Sequence, residues 1–337
     1  MTGSRGARAA TAAALMAMSS TQAVAVPTTV PLPPKANLAS AHLVVDPSGG
    51  VGVLYATGGA VVIWRSSDRS QEAVPVPRGA VVEGFALSQG QPMVLIQSDP
   101  ACSDLSVLIR DQAGQWSTEA LAGRARTATL TADSAGTLVV ASSGCDGALE
   151  VRTRSAPARW TVEQTGVRTL PVGRVSLALG AGGVAVCSIG GEQAAIATRS
   201  AAGVWTKLGL PGGALTPGET ISALRVGFDP SLRPVSFVVR SPSRRETRRG
   251  QRAQILRVAS RYDGSIWSQI ATVPNAVSLV GSGNAFAILD RSGAVTIEST
   301  AFSGLVPGPN TRIAMSAEGI LARVQGRSQT PQVVVGL

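Results

Sequence analysis

The densest patch of one chemistry in this chain is SRRETRRGQR, residues 243–252, where Arg244, Arg245, Arg248, Arg249 and Arg252 are interrupted by a single acid, Glu246. Guanidiniums this close repel one another unless an anion lies among them, and guanidinium pairs phosphate or carboxylate through two parallel hydrogen bonds. The run is therefore a candidate ligand-binding element for a polyanion. Specific nucleic-acid recognition is not expected, because no aromatic residue interleaves the basic ones to stack on bases. The plain alternative is a solvated loop in an arginine-rich chain, since Lys35 and Lys207 are the only lysines among 30 basic residues.

Other chemistry is thinly supplied. His42 is the sole histidine, and no G-x-S-x-G elbow exists to hold a nucleophile beside it. Three cysteines with no C-x-x-C pair, and one histidine, exclude thiolate zinc sites and histidine clusters, so no metal is expected. No P-loop, dinucleotide fingerprint or Asp-rich calcium loop appears, so no cofactor is expected either. Glycoside hydrolysis would need an acid pair, and none of the 20 Asp and Glu is singled out by spacing. Cys102 and Cys145 sit in polar, turn-like segments 43 residues apart and form a candidate disulfide. Cys187 lies in the apolar run Val184-Ala185-Val186-Cys187 and reads as a buried small hydrophobe.

The elements that must carry these residues follow from a repeat. Arg precedes Trp by six residues at Arg110/Trp116, Arg154/Trp160, Arg199/Trp205 and Arg261/Trp267, with the tryptophans 44, 45 and 62 residues apart. Arg65 to Gln71 is an earlier copy that lacks the Trp, and Trp64 belongs to a central apolar run, AVVIWR. The repeated Trp reads as packing at a strand turn, with its Arg lying on the indole or bonding to the turn. Before each copy stand two Val-, Ile- and Leu-rich runs joined by a short turn, near Gly50, Gly90, Gly136, Gly182, Arg233, Gly283 and Gly319. Such runs bounded by Gly, Ser, Asp and Pro are strand–turn–strand signals, and no segment holds a helical apolar period. Each unit is thus four strands, here lettered A to D, in about 45 residues, the size of a β-propeller blade. The turns count to seven blades, with six or eight as the neighbouring alternatives. The last unit, from Ile313, ends after TPQVVVGL without a D strand, while Thr28–Pro33 (TTVPLP) resembles the first D strand, Glu72–Pro77 (EAVPVP). The expected fold is all-β: a seven-bladed propeller of four-stranded blades, closed by the N-terminal strand completing the last blade. A composition 44% hydrophobic, 15% charged and rich in glycine (38) and proline (20) suits a turn-rich globular fold and not a disordered one.

On these units the mature chain resembles secreted bacterial β-propellers, and the polar turn before each Trp is similar to the Asp boxes of sialidase-type repeats. It departs from them: Asp263 stands four residues before Trp267 where the box has five, and the other three copies carry no Asp at that place. The resemblance implies the propeller fold and transfers no catalytic residue. Tyr55 and Tyr262 are the only tyrosines available for sialidase-like chemistry, and Tyr262 falls in the C–D turn, away from the usual funnel face.

Arg5 and Arg8, the apolar stretch Ala9–Met18 and the A-x-A site Ala23-Val24-Ala25 are the three parts of a secretory signal peptide. Residues 1–25 are read as that signal and 26–337 as one propeller domain, secreted, not membrane-spanning and monomeric. The expected role is a non-enzymatic binding or scaffold module for a protein or an anionic cell-envelope polymer; the alternative is a carbohydrate-active hydrolase or lyase of sialidase-like type. B–C and D–A loops share one propeller face, so Arg124, Arg126, Arg168 and Arg174 are expected beside the 244–252 run and the two cysteine loops.

Overall fold

The computed structural model describes residues 28–32, 37–46, 50–133, 135–169, 173–229, 231–241, 255–272, 276–282, 285–290, 295–297, 300–302, 312–315, 321–325 and 332–335. The signal segment and the Arg244–Arg252 run lie outside these residues.

Among the described residues every regular element is a β-strand, apart from one three-residue turn of 3-10 helix at Ala181–Gly183. Five sheets are four-stranded and antiparallel. Four of them are sequential meanders over residues 37–74, 175–208, 220–272 and 276–302. The fifth joins Arg312–Met315, Leu321–Gln325 and Gln332–Val335 to the N-terminal strand Thr28–Pro31. Thr28 faces Val335 and Pro31 faces Gln332 in that pairing, so the first and last strands of the chain share one ladder.

The sixth sheet has seven strands, covering 81–168. Sequence reading treats the strand after Trp116 and the strand before Gly136 as separate, whereas they form one 17-residue strand, Trp116–Ala132. Its register slips on both sides, between the partners Leu121 and Arg124 of one neighbour and between Ala125 and Thr127 of the other. Gly123 stands at the slip with φ 90°, a conformation open to glycine, so the chain bulges and passes from one meander to the next without breaking its hydrogen bonds.

The turns follow local chemistry. Gln89-Gly90 links strands paired Ser88 to Gln91, and both turn residues have positive φ, as a two-residue hairpin of matching twist requires. The longer A–B turns are nucleated by aspartate: Asp46 Oδ1 accepts from Gly50 N at 2.8 Å, Asp133 Oδ1 from Thr137 N at 2.8 Å, and Asp229 Oδ1 from Arg233 N at 2.9 Å.

Alternate strand residues face opposite neighbours, so each meander is apolar on both sides. Leu54, Ile63 and Val74 of the 37–74 sheet pack on Phe85, Leu87, Val94 and Leu108 of the next meander. Val139, Ala141 and Val151 pack on Cys187, Ile189 and Ala197 of the 175–208 sheet, and Val186 and Ile196 pack on Leu224, Val226 and Val238 beyond it. Trp64 is 3% exposed in the first sheet's cluster, where Leu32 also lies. Asn37–Val45 in turn contacts Arg312–Met315 and Leu321–Gln325.

Candidate functional site

The repeated arginines and tryptophans meet a partner that sequence reading did not name. Arg110 Nε and Trp116 Nε1 both donate to Glu72, at 2.8 and 2.7 Å, and Glu72 belongs to the outer strand of the preceding meander. Arg154 and Trp160 close in the same way on Glu119, and Arg199 and Trp205 on Glu163. In these three copies one carboxylate on the outer strand is thus gripped by a guanidinium and an indole N–H from the next meander. The arginines bond across the interface in preference to lying on the indole or only serving their own turn, because the carboxylate offers a charged acceptor where the turn offers neutral carbonyls. The spacing Trp116-x-x-Glu119 and Trp160-x-x-Glu163 is the sequence signal that could have shown two of the three acids.

The fourth copy differs. Leu208 stands three residues after Trp205, so no acid is offered there. Trp267 Nε1 donates instead to the Gly209 carbonyl, and Arg261 pairs at 2.8 Å with the fully buried Asp229 of its own sheet's A–B turn. Strand pairing explains the split: Trp267 faces Tyr262 where the other tryptophans face their arginines, a slip of one residue. The Tyr262 ring packs against Trp267 in a tilted arrangement, 52° between planes and 5.3 Å between centroids. Tyr55 is fully buried, so neither tyrosine lines the opposite, loop-bearing end.

That loop-bearing end gathers the remaining candidates. Cys102 and Cys145 occupy the B–C connections of adjacent meanders at disulfide distance, with Cα atoms 5.9 Å apart. Arg124 donates to the Cys102 carbonyl, and Arg168 pairs with Asp146 at 3.2 Å, both beside the cysteines. Cys187 is fully buried, and burial pushes its thiol pKa well above the usual range. Replacing Cys102 and Cys145 together by serine is expected to lower unfolding free energy by about 2–4 kcal/mol, since a 43-residue separation is closed by the bond. Non-reducing peptide mapping checks the pairing; two free thiols, or a pair involving Cys187, would contradict it.

Next to the cysteine loops opens a cavity of about 570 Å³, whose lining includes Arg126, Arg174, Arg225, Glu192, Thr220 and Ser222. Arg126 and Ser222 come from A strands, and Gly190, Gly191 and Glu192 from a B–C connection. Arg126, Arg174 and Glu192 are exposed and Arg225 is half-buried. Its glycines let backbone meet backbone: a Cβ on Gly173 would fall 1.9 Å from the Gly190 carbonyl oxygen. Gly191 and Ile221 exchange two backbone hydrogen bonds, at 3.1 and 3.2 Å, tying the connection to the next sheet's inner strand. Thr220 is paired with Ser241, the last described residue before the 242–254 segment that carries Arg244–Arg252. Glu83, on a neighbouring A strand, accepts from Ala128 N; burial raises its pKa, opposed by that bond and by the Arg174 charge. His42 is half-buried on the strand Asn37–Val45, outside this lining.

A solved structure described as YCF48 bound to D1 peptide matches with a TM-score of 0.54 over 92% of this chain and 94% of that one, at 12% identity. The chain folds as a β-propeller. No family model and no curated protein matches it. The propeller's A strands line its axis, which puts the arginine-lined cavity at the axial end of the loop-bearing face.

Proposed function

We propose that this propeller is an extracytoplasmic, non-enzymatic binding scaffold that engages an acidic protein segment on its loop-bearing face. In this reading residues 1–25 are a signal peptide, the long strand Trp116–Ala132 serves two blades to make seven, and Thr28–Pro31 closes the ring as the outer strand of the last. The observation that carries the functional part is the grouping of Arg126, Arg174 and Arg225 in the lining of one cavity, with Arg124 and Arg168 at the cysteine loops of the same loop-bearing end. Summed positive charge on one surface steers and holds anions, and its effect falls as salt rises. That the solved propeller of similar fold is described with a bound peptide supports a protein partner. Among the described residues the cavity lining supplies one carboxylate, Glu192, which is not the acid pair of ordinary glycoside hydrolysis. Among the described residues of the lining none is aromatic, so none of them offers a face on which a sugar ring could stack.

Retention on a heparin column tests the basic face. Replacing Arg244, Arg245, Arg248 and Arg249 by Ser should leave the melting temperature unchanged and lower the salt needed for elution, as should replacing Arg124 and Arg126. Elution of every variant at the parent's salt concentration would show that this face holds no polyanion. Intact mass of protein recovered from the medium checks export; retention of Met1 would contradict it.

A further inference from the structure

The cysteine pair spans the point where one strand passes between two meanders. Ala125, in the long strand Trp116–Ala132, pairs with Ser103 on one side and with Gly144 on the other. Cys102 and Cys145 are the next residues outward from those two partners, so each lies just past the crossing. Residues that flank a single strand are two strand spacings apart, about 9.6 Å. The cysteine Cα atoms stand 5.9 Å apart, so their connections close together over the crossing strand. Each connection is otherwise a self-contained turn. In one, Asp99 N donates to Ser103 Oγ and Ala101 N to Asp99 Oδ1; in the other, Gly147 N donates to the Gly144 carbonyl and Ala148 N to Asp146 Oδ1. Among the described residues no hydrogen bond joins 98–102 directly to 145–147, which leaves the disulfide as the bond between them.

Two arginines of the basic face are held by these connections. Exposed Arg124 donates to the Cys102 carbonyl, and Arg168, 71% exposed in its side chain, pairs with Asp146 next to Cys145. We propose that the Cys102–Cys145 bond is a redox latch on the polyanion-binding face. Closed, it fixes Arg124 and Arg168 relative to one another, which reduces the ordering cost of binding an acidic partner. Opened by an external dithiol, it lets the two connections part and weakens that binding. This regulation rests on the binding role proposed above. The bond is open to attack from solvent, since Cys145 is exposed and Cys102 half-buried, and exposed disulfides are the more readily reduced ones. A thiolate of the dithiol attacks Cys145 Sγ, and the S–S bond breaks with its electron pair on Cys102 Sγ, which takes up a proton. The second sulfur of the dithiol then displaces Cys145 Sγ, which is protonated in turn. Two electrons have passed to the protein, leaving two thiols there and a cyclic disulfide in solution. Cys187 is fully buried in the cluster of Val139 and Ala141 and stays out of the exchange. The fold outlasts the opening, because the pairing of Ala125 with Ser103 and Gly144 does not pass through the sulfurs.

The test is heparin chromatography of the full chain before and after treatment with dithiothreitol, with accessible thiols counted and circular dichroism recorded in both states. Two thiols should appear without unfolding, the circular dichroism spectrum should not change, and the reduced protein should elute at lower sodium chloride. Cys102→Ser combined with Cys145→Ser should elute with the reduced parent and ignore dithiothreitol. Arg124→Ser combined with Arg168→Ser should keep the disulfide, elute as early as the reduced parent and show no further shift on reduction, a loss of response that a merely structural bond would not produce. Hydrogen exchange should rise on reduction at 98–104, 121–126 and 144–148 and stay unchanged in the other sheets. Retention of both redox states at the same salt overturns the latch and leaves the binding face standing. A disulfide that resists dithiothreitol until the protein unfolds, or a reduced protein that loses its fold, overturns the latch as well. An oxidised parent that heparin does not retain overturns the face itself.

Discussion

A chain lacking residues 28–32 is expected to aggregate and to lose on the order of 5 kcal/mol of stability. Four residue pairs, Thr28–Val335 to Pro31–Gln332, bind the first strand to the last. Without them Gln332–Val335 keeps only its partner Leu321–Gln325 and presents the uncharged edge Gln-Val-Val-Val. An uncharged, β-branched edge recruits other chains. The deletion also removes Leu32, 5% exposed, from the cluster of Ala41, Val53, Tyr55 and Trp64 in the first sheet. The short segment therefore ties the last sheet to the first at a hydrogen-bonded edge and at an apolar contact. Light scattering after size-exclusion chromatography and a thermal melt check this. A truncated protein that stays monomeric with the parent's melting temperature would contradict the closed ring.

Glu119→Ala is expected to cost about 3–5 kcal/mol, more than any exposed substitution on this molecule. Glu119 is 8% exposed and receives Arg154 Nε at 3.0 Å and Trp160 Nε1 at 3.1 Å from the next meander. Its removal leaves a half-buried guanidinium and a half-buried indole N–H without their acceptor. Glu119→Gln keeps the volume and one acceptor and should lose less. Ile266→Ser, at a residue 62% exposed on the C–D turn, should change stability by no more than about 0.5 kcal/mol and serves as the control. The same grip gives a pH signature. Burial alone would raise the Glu119 pKa, but its bonds to Arg154, to the Ala158 backbone and to Trp160, with the Arg154 charge, outweigh it and hold the carboxyl below the ordinary range; Glu163 behaves alike with Arg199 and Trp205. A native pKa below the unfolded one means that the native state binds fewer protons, so this stabilisation is complete above the ordinary glutamate range. It is lost as pH falls from there through the lowered native value. Melting temperature against pH should therefore fall less steeply on acidification in Glu119→Gln than in the parent. Equal slopes would show that the carboxylate does not bear this load.

Strand placement was legible because it rests on local chemistry. The turns read near Gly50, Gly90, Gly182 and Arg233 all join paired strands, since alternation, glycine at positive φ and aspartate at the turn act within a few residues. The equivalence of Cys102 and Cys145 was legible for the same reason: both follow a B strand, so counting strands places their loops on one end. The partner of the Arg-x5-Trp repeat was not. Glu72, Glu119 and Glu163 precede the tryptophans they bind by 44, 41 and 42 residues, and no local rule links positions that far apart.

By itself, then, the sequence determined the strands, their turns and the repeat that makes four-stranded units, because hydrophobic period and turn propensity are encoded residue by residue. Only the tertiary structure decided that Trp116–Ala132 runs unbroken through two meanders, which depends on both neighbours pairing with it at once. It alone brought Arg126, Arg174 and Arg225, spread over 99 residues of chain, around one cavity with Glu192. Charge in sequence is a count, whereas a binding site is a distance, and distances between successive blades are set by how their apolar faces pack.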